Sequence, residues 1–192
     1  KIYKNYIFLG ELSLDGTIKK VKGVLPMLIS ARSQGYTKFI IPYENREEAS
    51  YISNMEIFAF KTLSDVVCFL NGNDNFLYNY VVKTKSYDET MLSNTNKLDF
   101  ENVKGQKMAK RALEIAAAGG HNVLMIGPPG SGKSMLAKCF SGILPNLTFE
   151  EALEVTKIHS IAGELDLKKG IITERPFRTP HHTASVVSLT GG

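Results

Sequence analysis

The feature that most constrains this chain is an eight-residue loop at positions 127–134, which matches the pattern G-x-x-x-x-G-K-[ST] at every fixed position. The apolar run 123–126 directly precedes the loop, and a helix is predicted to begin near Lys133. A buried parallel strand, a glycine-rich loop and a helix N-terminus together form a common anion-binding arrangement. We therefore predict a Walker A loop that binds the triphosphate of ATP.

Each residue type in this loop has a physical reason to be there. Gly130 and Gly132 let the backbone turn tightly, so that successive N–H groups can face an anion. Lys133 is expected to place its ammonium against the β- and γ-phosphates and is the candidate catalytic residue. The Ser134 hydroxyl is the candidate ligand of Mg²⁺. ATP and Mg²⁺ are thus the expected cofactors, and the loop residues expected to bind them are Gly127, Pro128, Pro129, Gly130, Ser131, Gly132, Lys133 and Ser134.

A complete ATPase of this class also carries an acidic residue at the end of a second apolar strand, where it helps to hold Mg²⁺ and orient water. No such strand follows Ser134 in the sequence. Glu150, Glu151 and Glu154 fall in a predicted helix, where they favour the helix dipole. Thr148 is the expected cap of that helix. We therefore expect an N-terminal piece of a larger motor protein, which binds ATP but is poorly equipped to hydrolyse it.

Composition narrows the class of protein. The chain has 192 residues, 43% of them hydrophobic and 22% charged, as is typical of globular proteins. No apolar run approaches the roughly 18 residues that span a bilayer, so no membrane segment is expected. Cys68 and Cys139 have no partner at metal-ligand spacing, which favours free thiols in a reducing cytoplasm. The net charge of +4 is too small to indicate a nucleic-acid partner by itself.

An asparagine-rich, turn-prone stretch divides the chain and predicts a linker at 73–98, between a first domain at 1–72 and a second at 99–192. In the first domain, apolar segments at 6–13 and 18–21 flank Asp15-Gly16, which predicts a β-hairpin. The order predicted for this domain is β-β-α-β-α-β-α. After the hairpin, its segments are a helix at 24–31 ended by Gly35, a strand at 39–41, a helix at 47–49 capped by Asn45, a strand at 56–60 and a helix at 63–70.

The second domain is predicted to open with the segment 99–106, followed by a helix whose apolar face includes Met108, Leu113 and Ile115 and which Gly119-Gly120 ends. The run 123–126 is predicted to be a strand covered on both faces of a parallel sheet. The pattern therefore favours an α/β fold in both domains.

Several segments together closely resemble the bacterial magnesium-chelatase-like AAA+ ATPases of the YifB/ComM type. They are residues 99–121, the loop 127–134, Leu144-Pro145, residues 151–158 and residues 175–183. Residues 10–45 are similar to the amino-terminal domain of the same family, which resembles the second half of a Lon-type peptidase domain with a ribosomal-protein-S5-like fold. The resemblance implies an S5-like, Lon-peptidase-like α/β domain fragment followed by a truncated P-loop AAA+ parallel-sheet domain.

The Lon likeness raises proteolysis as a rival function. Lon-type peptidases use a Ser-Lys dyad whose lysine lies a few residues after a glycine, on the helix that follows the hairpin. Leu25 and Met27 stand where that lysine is expected, and the next lysine is Lys38. A dyad that lacks one member loses most of its catalytic power, so active proteolysis is disfavoured.

The family resemblance further implies a ring-shaped homo-oligomer, hexameric in form, and a DNA-dependent motor or helicase in natural transformation or recombination. It also implies that adenine rests near Val103, Lys104 and Gly105, which match the family's Val-x-Gly-Gln segment. A chelatase-type or protein-remodelling ATPase is the alternative, and a nucleotide-binding fragment without motor activity is a third class.

Two further patterns stay open at this point. His181-His182 would point to opposite faces of a strand and has no third ligand nearby, which favours an ordinary segment of the family's insert over a metal site. Lys168-Lys169, with Arg175 and Arg178, is a candidate basic hairpin for nucleic-acid phosphates, although an ordinary solvated turn explains it equally well.

Overall fold

The computed structural model describes residues 2–72, 79–92, 98–166, 168–181, 183–185 and 187. The chain forms two compact units. The first contains residues 1–93 together with 147–173, and the second contains 94–146 together with 174–192. The chain therefore leaves the first unit, forms most of the second, and returns. The sequence-based boundaries at residues 72 and 99 describe domains of a protein family rather than these two units. They stay a prediction.

Five strands and seven α-helices are described. The strands are β1 (Ile7–Phe8), β2 (Glu11–Leu12), β3 (Ile18–Lys19), β4 (Lys38–Pro42) and β5 (Glu56–Phe60). The helices are α1 (Val24–Ser33), α2 (Arg46–Ala49), α3 (Leu63–Leu70), α4 (Tyr87–Leu92), α5 (Lys107–Gly119), α6 (Lys133–Ile143) and α7 (Phe149–Ala162). Short 3-10 helices lie at Ile2–Asn5, Tyr43–Asn45 and Phe100–Asn102.

The first unit contains a parallel sheet in the order β1-β4-β5. Its register aligns Ile7 with Phe39 and Phe39 with Ile57. The predicted hairpin is present in shorter form, with β2 antiparallel to β3 around Asp15-Gly16. The segment before the hairpin, by contrast, supplies β1 to the parallel sheet. The mixed α/β class is therefore confirmed, while the S5-like and AAA+ descriptions stay predictions.

Helices cover both faces of this parallel sheet. Phe39 and Ile41 of β4 pack with Leu25 and Leu28 of α1 on one face. On the other face, Ile40 of β4 and two phenylalanines of β5 pack with α3. Burial on both faces explains why β4 and β5 are nearly continuous apolar runs rather than alternating ones.

Part of the predicted linker is ordered against the sheet. Val81 bridges Phe58 in antiparallel fashion on β5, and the N–H of Val82 donates to the carbonyl of Ile57 at 2.9 Å. Tyr80 and Val82 also pack against the hydrophobic core of the first unit. Residues 73–78 and 93–97 of the predicted linker lie outside the described residues.

The helix α7 follows α6 in the sequence, but α7 belongs to the first unit whereas α6 belongs to the second. The N–H of Gly23, at the start of α1, donates to the Ser160 hydroxyl at 3.1 Å. Ser160 in turn donates to the buried carboxylate of Glu48 at 2.8 Å. Apolar contacts near the start of α7, among them Tyr51 and Leu147, complete this docking.

The expected cap of α2 is wrong in its detail. Asn45 does precede the helix, but its side chain makes no capping hydrogen bond there. Instead, its amide donates to the carbonyl of Val21 at 3.0 Å and to Glu48 at 2.6 Å. Asn45 is fully buried, so its polar atoms must be satisfied, and these partners satisfy them.

The second unit is built around α5, α6 and the 3-10 helix Phe100–Asn102. Phe100 and Val103 pack with Leu113 of α5 and with Leu136 and Cys139 of α6. Gly120 ends α5 in a left-handed conformation, as the sequence predicts. Met108 and Ile115, expected on the buried face of α5, are exposed.

The predicted strand at 123–126 is also wrong. These residues have no regular secondary structure, and the side chains of Leu124 and Ile126 are 84% and 89% exposed. A strand is stable only when a neighbour satisfies its backbone hydrogen bonds. Among the described residues, none forms a ladder with 123–126. The segment has the apolar composition of a central strand without its pairing.

Candidate nucleotide-binding site

The loop 127–134 joins the unpaired apolar segment to the first turn of α6. Gly130 and Gly132 have φ values of 78° and 86°, in the left-handed region that glycine adopts without strain. Gly132 is also the N-cap of α6, and no side chain caps the helix there. The N–H groups of the first turn therefore remain available to a ligand, as at other anion-binding helix N-termini.

Lys133 is held inside this loop. Its ammonium donates to the carbonyls of Gly127 and Pro128, each at 2.7 Å, and to the Ser131 hydroxyl at 3.3 Å. A lysine ammonium has three donors, so these contacts use all of them. The loop thus surrounds a positive charge, and an incoming phosphate would replace the carbonyls as the acceptor.

Ser134 occupies the first turn of α6 and is exposed. Its position beside Lys133 places a hydroxyl at the same helix end as the ammonium. A hydroxyl oxygen next to bound phosphates is a suitable ligand for Mg²⁺, which keeps several waters and takes few protein ligands. Assignment of Mg²⁺ to Ser134 stays a prediction.

The structure brings Val103 to the same core as the helix that follows the loop. Val103 is buried and packs with Leu136 of α6 and with Met125, which precedes the loop by two residues. Gly105 lies in the exposed turn that follows, with φ of 70°. Of the three residues that the family resemblance assigns to adenine, Val103 therefore packs with residues on either side of the loop, whereas Lys104 and Gly105 are exposed.

The acidic residues after the loop have the structural role expected of them. Glu151 and Thr148 form a capping box at the start of α7, since each side chain accepts from the other's backbone N–H. Glu150 lies in the same first turn. These carboxylates stabilise the N-terminus of a helix of the first unit.

A metal site at the histidine pair finds no support in the described residues. His181 shares a 2.7 Å hydrogen bond between its Nδ1 and the Thr183 hydroxyl, and His182 lies outside the described residues. Over the part of the chain that the structure describes, no three His, Cys, Asp or Glu side chains gather as metal ligands would. Nor do residues 168–181 form the basic hairpin, because they contain no strand.

Sequence reasoning missed one residue of this unit. The ammonium of Lys110, in α5, donates to the carbonyl of Phe100 at 2.8 Å and also to that of Val103. The sequence gives little indication of these contacts, since a lysine one turn into a helix is usually a solvated surface residue. Its long side chain reaches back over the segment that precedes its own helix.

No helix among the described residues combines the length and apolarity needed to cross a membrane.

Sequence models of two families match the chain. One, described as magnesium chelatase, subunit ChlI, matches residues 99–192. The other, described as subunit ChlI of Mg-chelatase, matches residues 1–45. The two matches fall on either side of the asparagine-rich stretch.

Individual relatives extend this similarity over nearly the whole chain. Competence protein ComM of Haemophilus influenzae is 42% identical over 191 residues, which cover 98% of this chain and 36% of ComM. A protein of Escherichia coli called YifB, named as uncharacterized, is 38% identical over 187 residues, or 97% of this chain and 35% of that protein. Lon protease 2 of Bacillus subtilis is 42% identical over 59 residues, or 30% of this chain and 11% of the protease. The chain spans little more than a third of the length of the ComM and YifB proteins it matches.

Proposed function

The chain belongs to the magnesium-chelatase-like family that includes ComM and YifB, and on this premise we propose that its loop 127–134 binds the triphosphate of ATP together with Mg²⁺. The observation that carries the proposal is the position of Lys133. Its ammonium lies within the loop, at a helix N-terminus that no side chain caps. Positive charge and free backbone donors at one place are the requirements for binding a polyphosphate.

Nucleotide binding is tested by replacing Lys133 with alanine. Lys133→Ala should weaken ATP binding by at least about a hundredfold, because it removes the only charge at the loop centre that is expected to contact the phosphates. Lys138→Ala is the matched control, since Lys138 is an exposed lysine farther along α6. Titration calorimetry with ATP and Mg²⁺ measures both affinities. Normal ATP binding by Lys133→Ala would refute the proposal.

For the longer protein, we propose a ring-shaped homo-oligomer, hexameric in form, that works on DNA in the cytoplasm. The support is family membership and the similarity to a protein named as a competence protein. A chelatase-type or protein-remodelling ATPase is the second candidate, favoured by the name of the matching family. ATPase rates of the full-length protein, with and without single-stranded or branched DNA, separate the two. Absence of stimulation by DNA would count against the DNA motor.

Proteolysis is not part of the proposed function, although the similarity to Lon protease 2 raises it. Leu25 and Met27 stand on α1 where a dyad lysine is expected, and Leu25 is buried in the apolar core. Neither side chain can accept a proton from a serine. Casein added to the full-length protein with ATP should therefore remain intact.

A further inference from the structure

A cavity of about 410 Å³ lies within the first unit. Its walls are formed by Glu11 of β2 with residues 20–22 after β3, by Glu48 of α2, and by Ser160 of α7 with residues that follow that helix. Cavities of roughly 300–1,000 Å³ are large enough to hold small molecules. No residue of the loop 127–134 lines this cavity, so it takes no part in the function proposed above.

Four charged side chains line the cavity, two of each sign. They are the carboxylates of Glu11 and Glu48 and the ammonium groups of Lys20 and Lys22. Over the part of the chain that the structure describes, none of these four groups takes part in an ion pair. Opposite charges that share a cavity without contacting each other leave room between them for a ligand that carries both charges.

Glu48 is the buried member of this set, with only 1% of its surface exposed. Its carboxylate accepts hydrogen bonds from the Asn45 amide at 2.6 Å, from the Ser160 hydroxyl at 2.8 Å and from the N–H of Leu25. All three donors are neutral. Burial without a cationic partner disfavours the charged form, and it raises the pKa of Glu48. An ammonium group that entered the cavity would supply the missing positive charge.

Lys20 and Lys22 supply positive charge to the same cavity. Both side chains are exposed, so a ligand can reach them without breaking an existing ion pair. The ammonium of Lys22 lies 3.5 Å from the carbonyl oxygen of Ala162, at the end of α7. Val21 and Leu165, both half-buried, add apolar surface to the walls. The cavity therefore offers both signs of charge together with an apolar contact.

We propose that this cavity binds a free α-amino acid with an aliphatic side chain. The ammonium group of the ligand pairs with the two carboxylates, its carboxylate pairs with the two lysines, and its side chain contacts Val21 and Leu165. A simple anion would be opposed by the two carboxylates, and a simple amine by the two lysines. A zwitterion satisfies both pairs at once. This inference does not depend on nucleotide binding at the loop 127–134.

The test compares L-leucine with two compounds that each lack one of its charges. 4-Methylpentanoate keeps the carboxylate and the side chain, whereas 3-methylbutylamine keeps the ammonium group and the side chain. Titration calorimetry of the unaltered chain at neutral pH should give a Kd for leucine of about 1 mM or tighter, and binding at least roughly tenfold weaker for each analogue. Absence of saturable leucine binding, or equal affinity for either analogue, would overturn the proposal.

Lys20→Met and Glu11→Gln each remove one of the exposed charges that line the cavity. Each variant should bind leucine at least about threefold more weakly, as expected for the loss of a solvent-exposed ion pair. Lys61→Met is the matched control. Lys61 is an exposed lysine beside the hairpin, where its carbonyl accepts from the N–H of Ile18, but it does not line the cavity. Equal weakening by Lys61→Met would mean that only net charge matters, and would overturn the site.

Glu48→Gln removes the buried charge and should weaken leucine binding by at least about tenfold, because a buried charge is less screened than an exposed one. Unchanged affinity in a folded Glu48→Gln variant would overturn the assigned role of Glu48 and with it the proposed site. If this variant does not fold, Glu11→Gln and Lys20→Met decide, because both positions are exposed. Unchanged leucine affinity in those two variants also overturns the proposal.

Discussion

The hydroxyl of Ser160 donates a 2.8 Å hydrogen bond to the carboxylate of Glu48, 112 residues earlier in the chain. Both residues are buried, and Glu48 is only 1% exposed. The carboxylate also accepts from the amide of Asn45 at 2.6 Å. This polar cluster lies where α7 packs against the rest of the first unit. Its hydrogen bonds therefore contribute to the stability of that packing.

Replacing Ser160 with alanine should destabilise the first unit by about 1–3 kcal/mol. The change removes a donor to Glu48 and the acceptor of the Gly23 N–H, leaving buried polar groups without these partners. Urea unfolding followed by circular dichroism measures the effect. Ser33→Ala is the control, because Ser33 is exposed and bonds only to a carbonyl of its own helix in the structure described. Equal stability of the two variants would show that the cluster contributes nothing.

Glu48 should make the stability of the first unit depend on pH. Burial raises the pKa of Glu48 above its ordinary value of 4.5, opposed by hydrogen bonds from Asn45 and Ser160. The unfolded chain therefore ionises at lower pH than the folded one. The stabilising contribution is complete below pH 4.5 and is lost as the pH rises through the raised folded pKa.

Glu48→Gln tests this dependence, since glutamine is similar in size and never ionises. The free energy of unfolding of the variant, minus that of the unaltered chain, should increase as the pH rises from about 4.5 to about 8. Lys20, Lys22 and Glu11 line the same cavity, of about 410 Å³, and their charges are present in both proteins. A difference that stays constant over this range would contradict the raised pKa.

Local patterns predicted the first unit well because its strands and helices are specified by adjacent residues. The pair Asp15-Gly16 forms the expected turn, and α3 spans Leu63–Leu70 as predicted. The strand predicted at 123–126 is wrong because a buried strand depends on partners elsewhere in the chain, which the composition of the run itself does not reveal. The docking of α7 on the first unit was missed for the same reason, since the residues that hold it are distant in sequence.

The candidate site was predicted in outline rather than in its supporting contacts. Gly130 and Gly132 have the positive φ values that their role in the loop requires. The contacts of Lys133 with the carbonyls of Gly127 and Pro128 follow from the folded loop, and no spacing rule indicates them. The contacts of the Lys110 ammonium with the carbonyls of Phe100 and Val103 could not be predicted, because a helical pattern does not show what a long side chain will contact.

The exposure of Leu124 and Ile126 predicts an unusual tolerance to substitution at these two positions. Leu124→Ser should change the stability of this chain by no more than about 0.5 kcal/mol, because Leu124 is 84% exposed. Leu136→Ala is the contrasting variant, since Leu136 is 4% exposed and should cost about 2–5 kcal/mol. Chemical unfolding of both variants provides the comparison. A loss of more than about 2 kcal/mol in Leu124→Ser would mean that the segment is buried in solution.

Ser134→Ala should reduce the effect of Mg²⁺ on ATP binding while sparing binding without the metal. The hydroxyl is the predicted metal ligand, whereas Lys133 and the loop N–H groups are proposed to contact the phosphates directly. We expect the Mg²⁺-dependent gain in affinity to fall roughly tenfold, the equivalent of about 1.4 kcal/mol. Titrations with and without Mg²⁺ measure it, with Ser141→Ala as the control later on α6. An identical gain in both variants would remove Ser134 from the metal site.

The return of residues 147–173 to the first unit sets an order of events during translation. A nascent chain that has emerged as far as Ser93 still lacks the helix that supplies Ser160 to Gly23 and Glu48. That helix leaves the ribosome only after the loop 127–134 has been synthesised. The buried contacts of the first unit therefore cannot be completed until synthesis has passed the loop 127–134 and reached Ser160.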